Sequence, residues 1–459
     1  MGIALHKKKT SHSTLMTEGS IWKHILFFSI PLILGNMLQQ LYNTVDSIVV
    51  GNFLGSEALA AVGSSSSLIM LLISFSMGAA AGAGVIVSQF IGAQNKKGIH
   101  ESVHTALAIA LILGVVLTAA GLILSPQILR WMGTPEEVMP QSITYLRLYF
   151  AGVIFSILYN MASGILNAVG NSKRALLYLA IASFTNIILD LLFIPVLKMG
   201  IAGAAIATTI STAITGLGIS YTALFRKPDC RISLHDSFKP DREIIHRALE
   251  LGVPTALEHA TVSAGQIVVT RINATLGTVA LAADHVAVTA EGLSYMPADG
   301  ISYAATALVG QSYGAQEFED AHRFGKLSGL TGLAFSTVMG VMLFIFATPL
   351  ASIFSSDPAV IELAAQMLRI VAIAEPLFGV AIVMSGALRG LGDTRFPLVI
   401  SLIGMWGVRC VLAPTLVFGF KIGLAGSWIA MVCDLCVRGL LCALRFKRFT
   451  PQYLAENHR

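Results

Sequence analysis

Charged residues are scarce in this chain of 459 residues. Asp, Glu, Lys and Arg together make up 12% of the sequence, whereas the hydrophobic residue types make up 55%. A soluble globular protein carries about 25% charged residues because its surface faces water. The composition therefore excludes an array of soluble domains. It indicates a membrane protein, in which each helical span needs roughly 20 to 25 residues.

Cysteine is also scarce, and the short motifs of several enzyme classes are absent. The chain has five cysteines, which are too few for the disulfide framework of a secreted protein. Cys433 and Cys436 form a CxxC pair, but no second pair of ligands accompanies it. There is no phosphate-binding P-loop and no HExxH metal motif. We therefore expect no enzyme, no ATP-driven pump and no cofactor. The lack of a basic stripe interleaved with aromatic residues disfavours nucleic acid as a partner.

Long apolar runs fill most of the chain instead. Segments such as 109–124 and 330–349 are apolar on every side, unlike a barrel strand, which alternates in polarity. Because lipid offers no hydrogen bonds to the backbone, such segments are expected to be helices. The predicted fold class is an all-α membrane protein with twelve transmembrane helices. The predicted spans are 22–50, 55–89, 101–125, 138–168, 174–197, 201–225, 245–272, 277–310, 321–347, 359–388, 396–420 and 422–445.

The basic residues are distributed unevenly between these spans. Of the 30 Lys and Arg residues, 22 fall in tails and breaks on the side of the two chain ends, 3 in the opposite breaks and 5 inside spans. Basic residues are enriched in cytoplasmic loops. We therefore expect a multi-pass protein of the inner (plasma) membrane with both termini in the cytoplasm.

The chain repeats itself after about half its length. The stretch LGSEALAA that begins at Leu54 returns as LGTVALAA at Leu276, an offset of 222. The stretch GIAG at Gly200 returns as GLAG at Gly423, an offset of 223. Each copy has an even number of spans, so the copies are parallel repeats with a cavity expected between them. The predicted regions are an N-terminal tail (1–21), an N-lobe (22–225), a cytoplasmic linker (226–244), a C-lobe (245–445) and a C-terminal tail (446–459).

Polar residues interrupt the first and fifth spans. Gln39, Asn43 and Asp46 recur every three or four residues and form one stripe on a helix. Asn186 and Asp190 are four residues apart and share a helix face. Ionisable residues in lipid are costly, which makes the two acids functional candidates. Two such carboxylates could exchange a proton, could bind a small cation through their oxygens, or could only hydrogen-bond neighbouring helices.

Three motifs resemble those of the multidrug and toxic compound extrusion (MATE) family, of the prokaryotic type. They are LYNTVDSIVVGNFLG at 41–55, which follows Pro31, ALVGQSYGA at 307–315 and ALRGLGDT at 387–394. The resemblance covers nearly the whole chain from about residue 21 to 445. It implies a V-shaped pair of six-helix lobes that exports cationic, amphipathic drugs or toxins by antiport with H⁺ or Na⁺. We expect each chain to work as a monomer in the lipid bilayer.

The resemblance also implies site residues. In similar transporters an acid of the first helix and an Asn-x-x-x-Asp of the fifth form the cation site of the N-lobe. The matching residues are Asp46, Asn186 and Asp190, which would carry the proton or bind Na⁺. The residues expected to line the cavity beside them are Gln39, Tyr42, Tyr145, Asn160 and Thr208.

The second half does not duplicate this site. At an offset of 222, Asp46 corresponds to Val268 and Asp190 to Leu412. Neither apolar residue can bind a cation, so coupling is expected in one half only.

The C-lobe carries other acids inside its spans. Glu258 and Glu375 resemble family positions at which an acid senses the cation or the cationic substrate. Either could instead pair with Arg409, because a lone charge in a membrane helix needs a partner. The sequence predicts no role for Asp284, Asp299 or Asp434.

A lipid-linked oligosaccharide flippase of a related two-lobe superfamily is the alternative function. Such a protein is expected to line its cavity with Arg and Lys for pyrophosphate, and often to have more than twelve helices. Arg409 is the clearest basic candidate inside a span and the count stops at twelve. We therefore favour the exporter.

Overall fold

The structure is a computed structural model that describes residues 21–131, 134, 136–222 and 241–456. These residues form helices, with no strand among them. Most of the predicted linker, 226–244, lies outside the described residues. The first half contains α1 (Ile21–Leu54), α2 (Ser56–Gly92), α3 (Lys96–Trp131), α4 (Met139–Ala168), α5 (Ser172–Leu191) and α6 (Ile201–Tyr221). The second half contains α7 (Arg242–Ala274), α8 (Thr278–Gly314), α9 (Phe318–Ile345), α10 (Ala347–Phe354), α11 (Pro358–Ala372), α12 (Glu375–Gly390), α13 (Arg395–Leu402), α14 (Cys410–Pro414), α15 (Leu424–Arg448) and α16 (Pro451–Glu456).

The described helices account for twelve spans. Nine helical stretches are long and apolar enough to cross a membrane, and α11 with α12 forms a tenth span. The two other long helices, α7 with 33 residues and α8 with 37, have the length of a span and carry buried acids. The number of spans therefore agrees with the sequence prediction.

The tenth span departs from its prediction. The sequence predicts one continuous span over 359–388, whereas α11 and α12 are bent by 59° at a short break. Pro376 stands at the start of α12 and has no N–H to donate to a carbonyl one turn earlier. The break leaves Glu375 in the first turn of α12, where its side chain is buried.

The eleventh span contains π-helical turns. Ile403–Arg409 form one between α13 and α14, and Thr415–Gly419 form another after α14. In the first half, Leu192–Val196 form a π turn after α5. The π turns at 192–196 and 415–419 are counterparts, because the offset between them is 223. The π turn at 403–409 has no counterpart among the described residues of the first half.

Each lobe packs around apolar side chains of its own helices. In the N-lobe, Leu146 and Phe150 of α4 are buried against α3, where a Cβ on Gly121 would collide with the ring of Phe150. In the C-lobe, Met367 of α11 and Trp428 of α15 belong to a second core. Lipid tails are as apolar as these side chains, so close van der Waals packing holds the helices together.

The two halves share their loop geometry. The ten described residues with positive φ form five pairs, and the members of each pair are related by an offset of 222 or 223. Lys198 and Lys421, for example, have φ values of 52° and 56°, and Gly200 and Gly423 have 62° and 68°. Residues other than glycine rarely adopt positive φ. The matched positions therefore show that the same loops are built twice.

The lobes meet along the second half of α2 and the first half of α7. There Gly78 and Gly82 of α2 face Gly252 and Ala256 of α7, and a Cβ on Gly78 would lie 2.5 Å from the Cβ of Ala256. Small residues allow two membrane helices to approach this closely.

Two glutamines add a pair of hydrogen bonds between the lobes. The Nε2 of Gln89 donates to the carbonyl of Gly390 at 3.0 Å, and the Nε2 of Gln311 donates to the carbonyl of Ala168 at 2.7 Å. Both the donors and the acceptors are related by the offset of 222. The side chain of Arg247 donates to Gln89 as well. We call the two bonds of Gln89 and Gln311 the glutamine latch.

Candidate functional site

A cavity of about 520 Å³ lies between the two lobes. Helices α1, α2, α4, α5 and α6 form most of its wall, and α7, α8 and α12 contribute on the C-lobe side. Seven of the ten site residues named from the sequence line it: Gln39, Tyr42, Asp46, Tyr145, Asn160, Asn186 and Thr208. The other three, Asp190, Glu258 and Glu375, are not among the lining residues.

Asp46 of α1 and Asp190 of α5 meet at the N-lobe wall of this cavity. Their carboxyl groups are close enough to interact with each other, and Asp190 is fully buried. The Oδ1 of each has no N–H or O–H donor among the described residues. Adjacent carboxylates repel each other, and burial removes the solvation of their charges. Keeping both ionised is therefore costly, and a shared proton or a bound cation would lower that cost.

Asn186 orders this pair from one turn earlier on α5. Its amide nitrogen donates to the Oδ2 of Asp190 at 2.8 Å, and its amide oxygen accepts from the backbone N–H of Thr208 at 3.3 Å. Tyr42 and Thr208 line the cavity beside this pair, and the hydroxyl of Thr208 donates to the backbone carbonyl of Ala204 at 3.1 Å. Carboxylate and hydroxyl oxygens are the ligands that hard cations prefer. The residues present therefore fit Na⁺ as well as a proton.

The local sequence explains why these side chains face the cavity. On α1, Gln39, Asn43 and Asp46 follow one another at three or four residues and lie on one face of the helix. Helix α5 ends at Leu191, directly after Asp190, and the π turn that follows contains Pro195. Pro195 cannot donate a helical hydrogen bond, and π turns are frequent at functional sites.

Asn160 lines the cavity and also connects two helices of the N-lobe. Its side-chain nitrogen donates to the hydroxyl of Ser76 at 3.0 Å. Asn160 thus bridges α4 and α2 while it lines the cavity. Interhelical bonds of this kind are common for Asn in membrane proteins, so part of its role is packing.

A basic residue that the sequence analysis assigned to the breaks between spans lies on the C-lobe wall. Arg389 stands in the last turn of α12 and lines the cavity with His259 and Tyr303. Its Nη2 donates to the Oε2 of Glu258 at 3.0 Å. The alternative pairing of Glu258 with Arg409 is therefore wrong. Among the described residues that line the cavity, Asp46 is the one carboxylate and Arg389 is the one Arg or Lys.

Glu375 lies inside the C-lobe. It is fully buried, and its Oε1 accepts from the hydroxyl of Ser294 at 2.7 Å. Glu291 of α8 is a neighbouring buried acid. No described carboxylate forms an ion pair with Arg409, so the alternative pairing of Glu375 with Arg409 is wrong as well.

Two further acids of the C-lobe, Asp284 and Asp434, have partners of their own. The Oδ1 of Asp284 accepts from the indole N–H of Trp428 at 2.9 Å. Asp434 accepts two hydrogen bonds from Arg438 at 2.7 Å each. The sequence shows that these acids lie in apolar segments, where a charge is costly. It does not show their partners, because those contacts depend on how the helices pack.

Comparison with known proteins identifies the family. The family model MatE matches the chain twice, at residues 31–192 and 254–415. The chain belongs to the MatE family. The two matches have equal lengths and begin at Pro31 and Pro254, one in each half. One MatE unit therefore corresponds to one half of the chain.

Two curated relatives and a solved structure match this chain over nearly its whole length. The probable multidrug resistance protein YoeA of Bacillus subtilis is 32% identical over 447 residues, which cover 94% of this chain and 96% of that protein. The probable multidrug resistance protein NorM of Thermotoga maritima is 29% identical and covers 93% of this chain and 92% of its own. A structure described as the outward-facing conformation of a multidrug resistance MATE family transporter has a TM-score of 0.91 at 28% identity, with 98% of this chain and 100% of that chain covered. These matches confirm the MATE resemblance, the two-lobe fold of twelve helices and the multi-pass membrane protein.

Proposed function

We propose that this MatE protein is a secondary active exporter of cationic, amphipathic compounds, driven by antiport with H⁺ or Na⁺. The observation that carries the proposal is the contact between Asp46 and Asp190 on the wall of a cavity between two lobes. The names of YoeA and NorM, probable multidrug resistance proteins, support drugs as substrates.

The two acids couple the ion to the substrate through charge. When the pair is ionised, the N-lobe wall is negative and attracts a cationic compound. When H⁺ or Na⁺ occupies the pair, that attraction is lost and the compound leaves. In the direct version, substrate and ion compete for the same carboxylates. In the indirect version, ion binding bends α1 at Pro31, inside the helix, and reshapes the cavity.

The driving force is sufficient for export. Moving one charge through 100 mV supplies about 2.3 kcal/mol, and each 1.4 kcal/mol corresponds to about a tenfold concentration ratio. One ion per cycle therefore supports a gradient of more than tenfold.

The glutamine latch supplies the access step of the proposed cycle. Basic residues are concentrated on the side of the chain ends, so this side is proposed to be cytoplasmic. With the latch closed, the cavity is sealed from the cytoplasm, and opening it admits substrate. One chain contributes both walls of the cavity, so the proposed working unit is a monomer in the inner membrane.

The test is efflux of a cationic dye from vesicles that contain the purified protein. The dye should leave when a pH gradient or a Na⁺ gradient is imposed, and the gradient that works identifies the coupling ion. Asp46→Asn should abolish this gradient-driven efflux while the protein remains folded, because the amide cannot carry the charge. Asp320→Asn, at the start of α9 and away from the cavity lining, is the matched control. Undiminished efflux by Asp46→Asn would refute the assignment.

The flippase alternative has less support. Arg389 is the single Arg or Lys in the described cavity lining, and Glu258 already neutralises it. A pyrophosphate carries several negative charges and needs a cluster of basic side chains. The cavity therefore favours a cationic substrate.

A further inference from the structure

The repeat relation assigns each residue of the N-lobe ion site a counterpart in the C-lobe. The loop residues Lys198 and Lys421 share their unusual φ and are related by the offset of 223, as are the π turns at 192–196 and 415–419. At this offset the counterpart of Asn186 is Arg409. Asp190 corresponds to Ala413 and Thr208 to Met431.

A π turn explains the change of offset from 222. At the start of the eleventh span the offset is still 222, since Gly170 and Gly392 are matched in φ at 81° and 90°. The turn Ile403–Arg409 then follows. A π turn closes over five residues instead of four, which accommodates the additional residue. A constant offset of 222 pairs Asp190 with Leu412. With the additional residue taken into account, the counterpart of Asp190 is Ala413.

Arg409 makes the contact that its counterpart makes. In the N-lobe, Asn186 of α5 contacts Thr208 of α6 at 3.3 Å. In the C-lobe, the Nη2 of Arg409 lies 3.0 Å from the sulfur of Met431 on α15. The guanidinium therefore contacts the C-lobe counterpart of Thr208, a residue beside the N-lobe acid pair.

The surroundings of Arg409 are acidic. Arg409 is 6% exposed, and its Nε has no hydrogen-bond partner among the described residues. The charges that act on it come from Asp434, Glu291 and Asp284, together with the like charge of Arg438. These acids belong to α8 and α15 and have no acidic counterparts in the N-lobe, where Val62 and Ile69 stand at the positions of Asp284 and Glu291.

We propose that Arg409 is a tethered cation that occupies, in the C-lobe, the place that the coupling ion occupies in the N-lobe. The proposal rests on the proposed ion site at Asp46 and Asp190. The chain would carry its own cation where the first half binds a free one, so ions would enter one lobe only. Burying a guanidinium without a close ion pair is expensive. A purely packing role would be served as well by an apolar side chain.

The test compares Arg409→Gln with the charge-conserving Arg409→Lys in purified full-length protein. Both are placed in an Asp46→Asn background, in which the N-lobe site should no longer respond to ions. Thermal unfolding is measured in detergent with NaCl or choline chloride, at neutral and at mildly acidic pH.

Arg409→Gln should lower the unfolding midpoint by several degrees, and Na⁺ or acid should recover it, because a free cation or proton replaces the missing charge. Glu291→Gln, added to Arg409→Gln, should recover the midpoint without any ion. Arg409→Lys should behave like the background protein and show no response to ions.

A midpoint that Arg409→Gln leaves unchanged contradicts the proposal. So does a lowered midpoint that neither cation, acid nor Glu291→Gln recovers, which indicates packing alone. If Arg409→Gln yields no folded protein, the Arg409→Gln/Glu291→Gln variant must fold, and its failure overturns the proposal. Should Asp46→Asn keep its own ion response, the proposed N-lobe site is wrong, while the added effect of Arg409→Gln in that background still decides the role of Arg409.

Discussion

The two lobes share a scaffold but hold their buried charges differently. In the N-lobe, Asp46 and Asp190 contact each other, and no described basic residue forms an ion pair with either. In the C-lobe, Glu258 is paired with Arg389 and Asp434 with Arg438. An acid paired with a fixed cation has no need of a mobile one. Under the proposed function, we expect the N-lobe to exchange ions, whereas Glu258 and Asp434 of the C-lobe hold fixed partners.

The largest effect is expected from removing the second acid of the N-lobe. Asp190→Asn should abolish gradient-driven dye efflux, because Asp46 alone cannot hold the ion between two carboxylates. Glu375→Gln, a buried acid of the C-lobe, should retain most of the efflux. The measurement is dye efflux from vesicles with matched amounts of folded protein. Equal losses in the two variants would remove the distinction between the lobes.

An intermediate effect is expected on stability from the fixed pair of the C-lobe. Glu258→Gln leaves Arg389 with a buried, unpaired charge, which costs about 3 kcal/mol when the partner is removed. The control is Glu250→Gln, since Glu250 pairs with Arg395 at the surface, where the side chains are 48% and 74% exposed. An exposed pair contributes about 1 kcal/mol or less.

Thermal or denaturant unfolding of the two variants in detergent checks this difference. The expected order is a clear destabilisation for Glu258→Gln and almost none for Glu250→Gln. Similar small losses of stability in both variants would show that water solvates the Glu258–Arg389 pair, so that Glu258 does not hold the charge of Arg389 in place.

The smallest effect is expected from the glutamine latch. Gln89→Ala and Gln311→Ala each remove one hydrogen bond between the lobes, worth about 0.5–1.5 kcal/mol. The ratio of closed to open protein should fall by roughly two- to tenfold. Gln89→Ala should have the larger effect because Gln89 also accepts from Arg247, whereas the Oε1 of Gln311 has no partner among the described residues.

Spin labels at Lys97 and Glu319, exposed at the starts of α3 and α9, report the separation of the lobes on this side once the native cysteines are replaced. A longer label distance should become more populated in both variants. An unchanged distribution would show that the α2–α7 contact alone keeps the lobes together.

Much of the fold and part of the site could be predicted from local features of the sequence. Twelve spans and the repeat follow from apolar runs and recurring motifs. Asp46, Asn186 and Asp190 stand out because polar residues recur at helical spacing in apolar surroundings. These are properties of single segments and need no knowledge of how helices pack.

The missed features depend on contacts or on small changes of register. Arg389 belongs to the motif ALRGLGDT at 387–394 and stands near a helix end, so the sequence pattern assigns it to the loop charges. Its place on the cavity wall depends on the packing of α12 against α8 and on its ion pair with Glu258 of α7. The π turn Ile403–Arg409 shifts the repeat by one residue, which hid the relation of Arg409 to Asn186. Both omissions concern the C-lobe, where the copies have diverged.

The most direct test of the central claim is ion release on substrate binding. Purified protein in weakly buffered detergent solution is mixed with a cationic dye, and released H⁺ or Na⁺ is measured per chain. We expect release from the wild type and from Glu375→Gln, and none from Asp46→Asn. Release that persists in Asp46→Asn, or that disappears in Glu375→Gln, would contradict the assignment of ion coupling to the N-lobe.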